Sequence, residues 1–316
     1  MGIGCQLKQD YLNRPKCFFR KRGDIAVFQK ARPESVLFIT LDSCRYDTFI
    51  GAEIPNLRAV GPVYRCMAPG NFTYSSHAAM FMGFTPGVAE ASESFVNPMF
   101  GKIFKMRGGG FSGPGKHRFI LDGENIVDGF KIRGYHCIGT GALFWFDSSR
   151  ETGRVLTRDF HDFYFPGNVW FLEKQLNWIN EKLKKNDDPV FLFLNIGETH
   201  FPYYFEGAPW SKEINPCQPM AGQTNDAVEC RIRQKACLEY VDAKLKSLLE
   251  YFTESNTIIC ADHGDCWGED NLWGHGMHHE KVLEVPLVMC LTPDYDSDMP
   301  FFQKLIRRVR HNIADF

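Results

Sequence analysis

Three short apolar runs, each closed by polar residues, set the architecture. SVLFITL at 35–41 is rich in branched and aromatic residues and runs into Asp42. PVFLFLNI at 189–196 leads to Gly197, Glu198, Thr199 and His200, and NTIICA at 256–261 leads to Asp262 and His263. Runs this short and this apolar predict strands, and apolar positions on both faces are those of a parallel sheet covered by helices. Helical periodicity fills the gaps. NVWFLEKQLNWINEKLKK at 168–185 gathers Trp170, Phe171, Leu176, Trp178, Ile179 and Leu183 on one broad face, with Asn168 as candidate cap. The segment 227–252 repeats that pattern directly before the third strand. This order predicts an α/β fold, a three-layer α/β/α sandwich with a mostly parallel central sheet. Ligands of such sheets gather beyond the carboxyl ends of strands, where all three polar clusters fall.

The rest of the chain is less periodic. Residues 1–34 mix polar and aromatic positions around the short basic patch FFRKR and are expected to form an extension packed on the core. MRGGGFSGPGKHRF at 106–119 lacks the Lys-Ser/Thr ending of a phosphate-binding loop, and no clear strand precedes it, which predicts a mobile surface loop. With FHDFYFPG at 160–167 it marks a lid or insertion over about 85–165, although ordinary core and loop is the simpler role. The amphipathic end, 299–316, predicts a final helix. The expected organisation is thus an extension over 1–34, a single catalytic domain over 35–298 and a C-terminal helix over 299–316.

Composition narrows the partners. A chain of 316 residues, 44% hydrophobic, can bury a large core, and a net charge of -2 provides no global field to attract nucleic acid. An anionic substrate must be held by a local site. No apolar run reaches the length of a membrane span, and MGIGCQLKQDYLNRPKC lacks the apolar stretch of a signal peptide. A cytoplasmic protein without integral membrane association is expected. The 11 cysteines are scattered without a CxxC pair and read as reduced, mostly buried thiols.

Asp42, Asp262 and His263 combine carboxylate and imidazole donors suited to a divalent cation, and they can meet only through the fold. Gly264 would permit a sharp turn beside a ligand, and Asp265 could orient a ligating or phosphate-binding histidine. The stretch GNFTYSSHAAMFMG at 70–83 places Thr73, Ser75 and Ser76 ahead of a short apolar helix. One of these hydroxyls could act as a nucleophile where a helix N-terminus stabilises negative charge; alternatively Ser75 or Ser76 is a cap and His77 lies on the helix surface. The residues alone leave the three hydroxyls open. Phe201, Tyr203, Tyr204 and Phe205 could stack an organic leaving group, or simply pack the core and rim.

Taken in order, LFITLDSCRYD, NFTYSSHAAMFMGFTP, NIGETHFPY, the helix containing EYVDAKL, and IICADHGDCWGEDNLWGHG followed by EVP resemble the alkaline phosphatase and sulfatase superfamily, above all its sulfatase-like members. The resemblance covers about 35–290. It implies an alkaline-phosphatase-like fold, Asp42, Thr73, Asp262 and His263 as metal ligands, and Thr73, His200 and His275 as catalytic residues. Thr73 is then the nucleophile, and the two histidines contact the transferred anion or the leaving group. The metal implied is Mn or Zn first, with Mg or Ca as further options.

Two departures shape the function. Sulfatases carry Cys or Ser in a C/S-x-P-x-R pattern, whereas Thr73-Tyr74-Ser75-Ser76-His77 stands here, which favours phosphate over sulfate esters. The Asp-x-x-x-His of two-metal relatives is missing around NIGETH, which leaves one well-supported metal site; His278, His279 and Glu280 are the residues available for part of a second. The expected activity is a metal-dependent phosphoric ester hydrolase, a monoesterase or diesterase, acting on a phosphate ester or other small anionic substrate. The alternatives are a phosphoethanolamine-type phospho-group transferase, a sulfatase and a noncatalytic metal-binding scaffold. All of the chemistry requires Thr73 close to Asp42, Asp262 and His263 and open to solvent.

Overall fold

A computed structural model of the chain describes residues 30–83, 104–108, 116–121, 125–218 and 224–291. The expected C-terminal helix and all but the last residues of the N-terminal extension lie outside this set. The strands are β1 Val36–Leu41, β2 Val63–Met67, β3 Phe104–Gly108, β4 Lys116–Leu121, β5 His136–Gly141, β6 Asp162–Tyr164, β7 Val190–Ile196, β8 Asn256–Ala261, β9 Cys266–Trp267, β10 Trp273–Gly274 and β11 Glu284–Cys290. The α-helices are α1 Tyr46–Gly51, α2 Pro55–Val60, α3 Thr73–Met82, α4 Ile126–Ile132, α5 Glu151–Thr157, α6 Leu172–Leu183, α7 Ala227–Tyr251 and α8 Glu280–Leu283.

Seven strands form one sheet in the order β2-β11-β8-β1-β7-β5-β6. β1 lies between β7 and β8 and is parallel to both, β5 is parallel to β7 and β6, and β11 runs antiparallel to β8 and β2. Alternation along the central strands divides the core. Leu37, Ile39, Leu41, Leu192, Leu194 and Ile196 pack with Ile179 of α6 and Leu238, Val241 and Leu245 of α7. Val36, Phe191 and Phe193 pack on the other face with Tyr74 and Phe81 of α3, Phe130 of α4 and Leu156 of α5. Each large apolar side chain sealed in this way contributes roughly 1.5–3 kcal/mol. The result is the expected mostly parallel sheet between two helical layers, an alkaline-phosphatase-like α/β/α sandwich.

Register positions the chemistry. Leu41 pairs with Ile196 on one side and Ala261 on the other, so Asp42, Gly197 and Asp262 emerge together at one sheet edge.

Two expectations need correction. The glycine-rich stretch 106–119 is not wholly a loop: β3 and β4 pair antiparallel, Phe104 with Leu121 and Met106 with Phe119, because β-formers flank the glycines. FHDFYFPG takes the simpler role of core and loop: Phe160 is buried, Phe163 packs against the same core, and β6 is an edge strand of the main sheet. Asn168 does not cap α6, since its Oδ1 accepts from the adjacent Val169 N at 2.8 Å. Glu198 accepts from Leu172 N at 2.8 Å in its place. By contrast Asp226 caps α7 through Val228 N and Glu229 N.

Candidate metal centre and nucleophile

The turn after β1 aims the first carboxylate. Ser43 adopts a left-handed backbone with φ 58°, which directs its N–H to Asp262 Oδ1 at 3.1 Å. The turn is clamped from α7 by Gln234, whose Nε2 donates to Ser43 O at 2.8 Å and to Thr199 O at 3.0 Å, tying the exits of β1 and β7 together. Thr199 Oγ1 donates to Asp42 O at 2.6 Å. Asn195, the penultimate residue of β7, donates through Nδ2 to Thr40 Oγ1 at 3.2 Å and to Asp42 Oδ2 at 3.5 Å.

Helix α3 brings the hydroxyl. Thr73 opens the helix after Phe72, which offers no side-chain cap, so the residue sits at the positive end of the helix dipole. Thr73 Oγ1 donates to Asp42 Oδ2 at 3.2 Å and lies 3.4 Å from His263 Nε2. The competing hydroxyls are engaged elsewhere: Ser75 Oγ donates to Phe72 O at 2.9 Å and Ser76 Oγ to Asp262 O at 2.7 Å. Geometry thus separates three hydroxyls that residue type leaves equivalent. His77 does not lie on the helix surface. It is fully buried, its Nδ1 faces Thr73 O at 2.7 Å and its Nε2 faces Thr40 Oγ1 at 2.9 Å. Burial pushes its pKa down to about 4, so a neutral ring donates to the Thr73 carbonyl and braces the first turn of α3.

Asp42, Asp262 and His263 offer three donor atoms within 4.8 Å of one another, all buried. His263 Nε2 is 3.8 Å from Asp42 Oδ1 and 3.5 Å from Asp262 Oδ2. Its Nδ1 donates to Gly264 O at 3.0 Å, which leaves Nε2 as a lone pair. Burial, then the neighbouring His275, holds the His263 pKa well below the usual imidazole range. Asp262 Oδ2 is buried without a hydrogen-bond partner, and burial together with the Asp42 carboxylate raises the Asp262 pKa well above the usual range. Two adjacent buried carboxylates, an orphaned oxygen and a neutral imidazole nitrogen are a donor set that fits a divalent cation.

A second group shares His263: with Asp265 and His275 it also brings three donors within 4.8 Å. His275 Nδ1 meets Asp265 Oδ1 at 2.7 Å. Burial acts against charge on His275, but the Asp265 carboxylate outweighs it and raises the pKa. His200 lies beside it, ring centroids 5.3 Å apart, with Nδ1 at 2.7 Å from Phe201 O. Burial lowers the pKa of His200. Neither cluster includes His278, His279 or Glu280: His279 Nδ1 accepts from Lys281 N and caps α8, because the short helix needs an acceptor there.

The aromatic run after His200 disperses. Phe201 stacks on His275, Tyr204 meets Trp170 and Phe205 stacks on Tyr240, while Tyr203 is fully buried. The expectation that Thr73 is open to solvent is not met: it is 1% exposed, covered by the packing of α3 against the sheet edge, and the site reaches the surface through His200 and His275 instead. Gly264 is required for packing space: a Cβ there would sit 2.2 Å from Lys281 O. All nine described cysteines are free, with Cys266 buried and Cys260 and Cys290 partly so. Asn195, Gln234 and His77 were not visible as site residues in the sequence, since each resembles ordinary strand or helix interior.

A family model described as Sulfatase matches residues 36–312. Among proteins of curated function no match was found. Solved structures of similar fold include the C-terminal periplasmic domain of the phosphoethanolamine transferase EptC from Campylobacter jejuni, 16% identical, covering 83% of this chain and 80% of that one with a TM-score of 0.54. The corresponding EptC domain from Escherichia coli in complex with Zn is 12% identical, with coverages of 85% and 75% and a TM-score of 0.55. The integral membrane lipooligosaccharide phosphoethanolamine transferase A from Neisseria meningitidis is 16% identical, with a TM-score of 0.55. The chain aligns over 90% of its own length with 52% of that protein, about half.

These relatives overturn the expectation of a cytoplasmic protein, since the similar domains from C. jejuni and E. coli are periplasmic. That expectation rested on the lack of a membrane-length apolar run and of a signal-like stretch near residue 1, and neither feature fixes a compartment. Among the described residues no helix is long and apolar enough to cross a membrane. The match across most of the chain, the sandwich and the Asp/His cluster beside Thr73 lead to one conclusion: the chain belongs to the sulfatase family, with the metalloenzyme fold of the alkaline phosphatase superfamily.

Proposed function

We propose that the chain is a phospho-group transferase that works through a phosphothreonine at Thr73, moving a phosphoethanolamine-like group from a phosphodiester donor to an acceptor hydroxyl. The observation that carries this reading is Thr73 Oγ1 at the N-terminus of α3, 3.2 Å from Asp42 Oδ2 and 3.4 Å from His263 Nε2. The fold shared with phosphoethanolamine transferases favours transfer over the simple hydrolase expected at first.

Asp42, Thr73, Asp262 and His263 would hold one divalent cation, which when bound supplies Lewis acidity that acidifies the hydroxyl and offsets charge on the phosphate. Thr73 Oγ attacks phosphorus as its proton passes to Asp42 Oδ2. The P–O bond to the leaving alcohol breaks, and His275, kept charged by Asp265, protonates the departing oxygen. The positive end of the α3 dipole stabilises the phosphate oxygens. In the second half the acceptor hydroxyl attacks phosphorus. His200, with Nδ1–H tied to Phe201 O, has Nε2 available to take the acceptor's proton and return it to the neighbouring His275, which restores the starting charges, and Thr73 recovers its own from Asp42.

Thr73→Ala tests the assignment. The variant is expected to retain its cation by elemental analysis and to lose at least about 100-fold in transfer rate. Near-normal turnover would reject Thr73 as nucleophile.

A further inference from the structure

Asp265 is itself held by a buried chain of contacts. Tyr203 Oη donates to Asp265 Oδ2 at 2.7 Å, and Trp267 Nε1 donates to Tyr203 Oη at 2.8 Å. The Trp267 ring lies under the Arg45 guanidinium, 4.1 Å from its centroid. Arg45 Nη1 also donates to the backbone oxygen of Asp265 at 3.1 Å and to Glu269 Oε1 at 2.8 Å, while Nε donates to Asp47 Oδ1 at 2.8 Å. Arg45 is 1% exposed and Tyr203 fully buried.

Tyr203 accepts backbone strain to reach this place. Its φ is 53°, a left-handed value unfavourable for a bulky side chain. Trp210 Nε1 fastens the backbone by donating to Tyr203 O at 2.9 Å. Packing alone does not require a hydroxyl at this position, yet the hydroxyl both donates to Asp265 and accepts from Trp267. The two Asp265 oxygens are thereby divided: Oδ2 belongs to Tyr203 and Oδ1 to His275.

We propose that Tyr203, Trp267 and Arg45 form a positioning relay that fixes Asp265 and, through it, aims His275 at the leaving-group oxygen. None of the three touches the reacting atoms. Freed from Tyr203, the Asp265 carboxylate can rotate, and the Nδ1 contact that orients the His275 ring loosens. The step affected is cleavage of the P–O bond to the donor alcohol, whose oxygen takes the bond's electron pair and a proton from His275. This inference rests on the transferase reading given above.

The test uses metal-loaded protein and two donors, 4-nitrophenyl phosphoethanolamine and n-butyl phosphoethanolamine. Nitrophenolate leaves without a proton, whereas butoxide does not. Tyr203→Phe is expected to lower kcat/KM for the butyl donor at least about 5-fold more than for the nitrophenyl donor, by weakening proton donation normally worth 10²–10⁴-fold. His275→Ala should show the same bias more strongly, and Tyr203→Phe should add no further bias in the double variant. Because Arg45→Met can fail to fold, Trp267→Phe is the second variant; it removes the Nε1 donor, keeps a ring under Arg45, and should show a bias in the same direction. Equal losses on both donors, or a bias that persists at full size in the His275→Ala background, would overturn the relay. Failure of the transferase reading shows separately, as turnover retained by Thr73→Ala.

Discussion

Replacing Glu198 by Gln isolates one buried proton. Glu198 is 1% exposed at the exit of β7; Oε1 accepts from Leu172 N at 2.8 Å, and Oε2 has no partner. Burial pushes its pKa from the ordinary 4.5 up to about 8, with the backbone donors at Leu172, Glu198 and Gly197 opposing and Glu206 adding to the rise. Below pH 4.5 both the folded and unfolded chains are protonated here, and the group's contribution to stability is fully present. As pH rises from 4.5 through about 8, the unfolded chain releases its proton while the native state holds on to it, so stability falls. At about 1.4 kcal/mol per pH unit the loss across that window comes to about 5 kcal/mol, comparable to the whole stability of many domains.

Glu198→Gln preserves the oxygen that caps α6 and cannot titrate. At about pH 4.5 the variant should lie within about 1 kcal/mol of the parent. By about pH 8.5 it should be the more stable of the two by about 5 kcal/mol. Urea unfolding followed by tryptophan fluorescence across this range measures the gap, and the titrations of all other groups cancel in the difference. A gap that does not change with pH, or one that favours the parent at alkaline pH, would refute the reasoning.

Asp262→Ala removes the orphaned Oδ2 and the acceptor for Ser43 N and His263 N; purified protein should lose its cation by elemental analysis, and full metal content would argue against the proposed centre. Gly264→Ala places a methyl 2.2 Å from Lys281 O and 3.3 Å from Arg45 Cγ; it should destabilise by about 1–3 kcal/mol through overpacking, read as a lower urea midpoint.

The elements easiest to read were those whose physics is local. β1, β7 and β8 are apolar on both faces and end in polar residues, so both their burial and the edge carrying Asp42, His200, Asp262 and His263 could be inferred from the pattern. β5, HCIGTG, was hidden because its small residues make room for neighbours: a Cβ at Gly141 would lie 2.2 Å from the Phe146 ring, and one at Gly139 2.6 Å from that of Phe163. β3 and β4 were hidden by the glycines beside them. Within the site, choosing Thr73 over Ser75 and Ser76 depended on resemblance until their partners were seen. Gln234 and Asn195 carried no signal at all, since an amide in a helix or strand acquires its role only when distant backbone turns converge on it.

The central claim is a covalent phosphothreonine, and its most direct measurement is mass spectrometry of metal-loaded protein, acid-quenched after exposure to 4-nitrophenyl phosphoethanolamine without an acceptor. The account predicts an added phosphoethanolamine group that maps to Thr73 and is missing from Thr73→Ala. Release of nitrophenolate with no adduct on the chain, or an adduct on another residue that persists in Thr73→Ala, would contradict it.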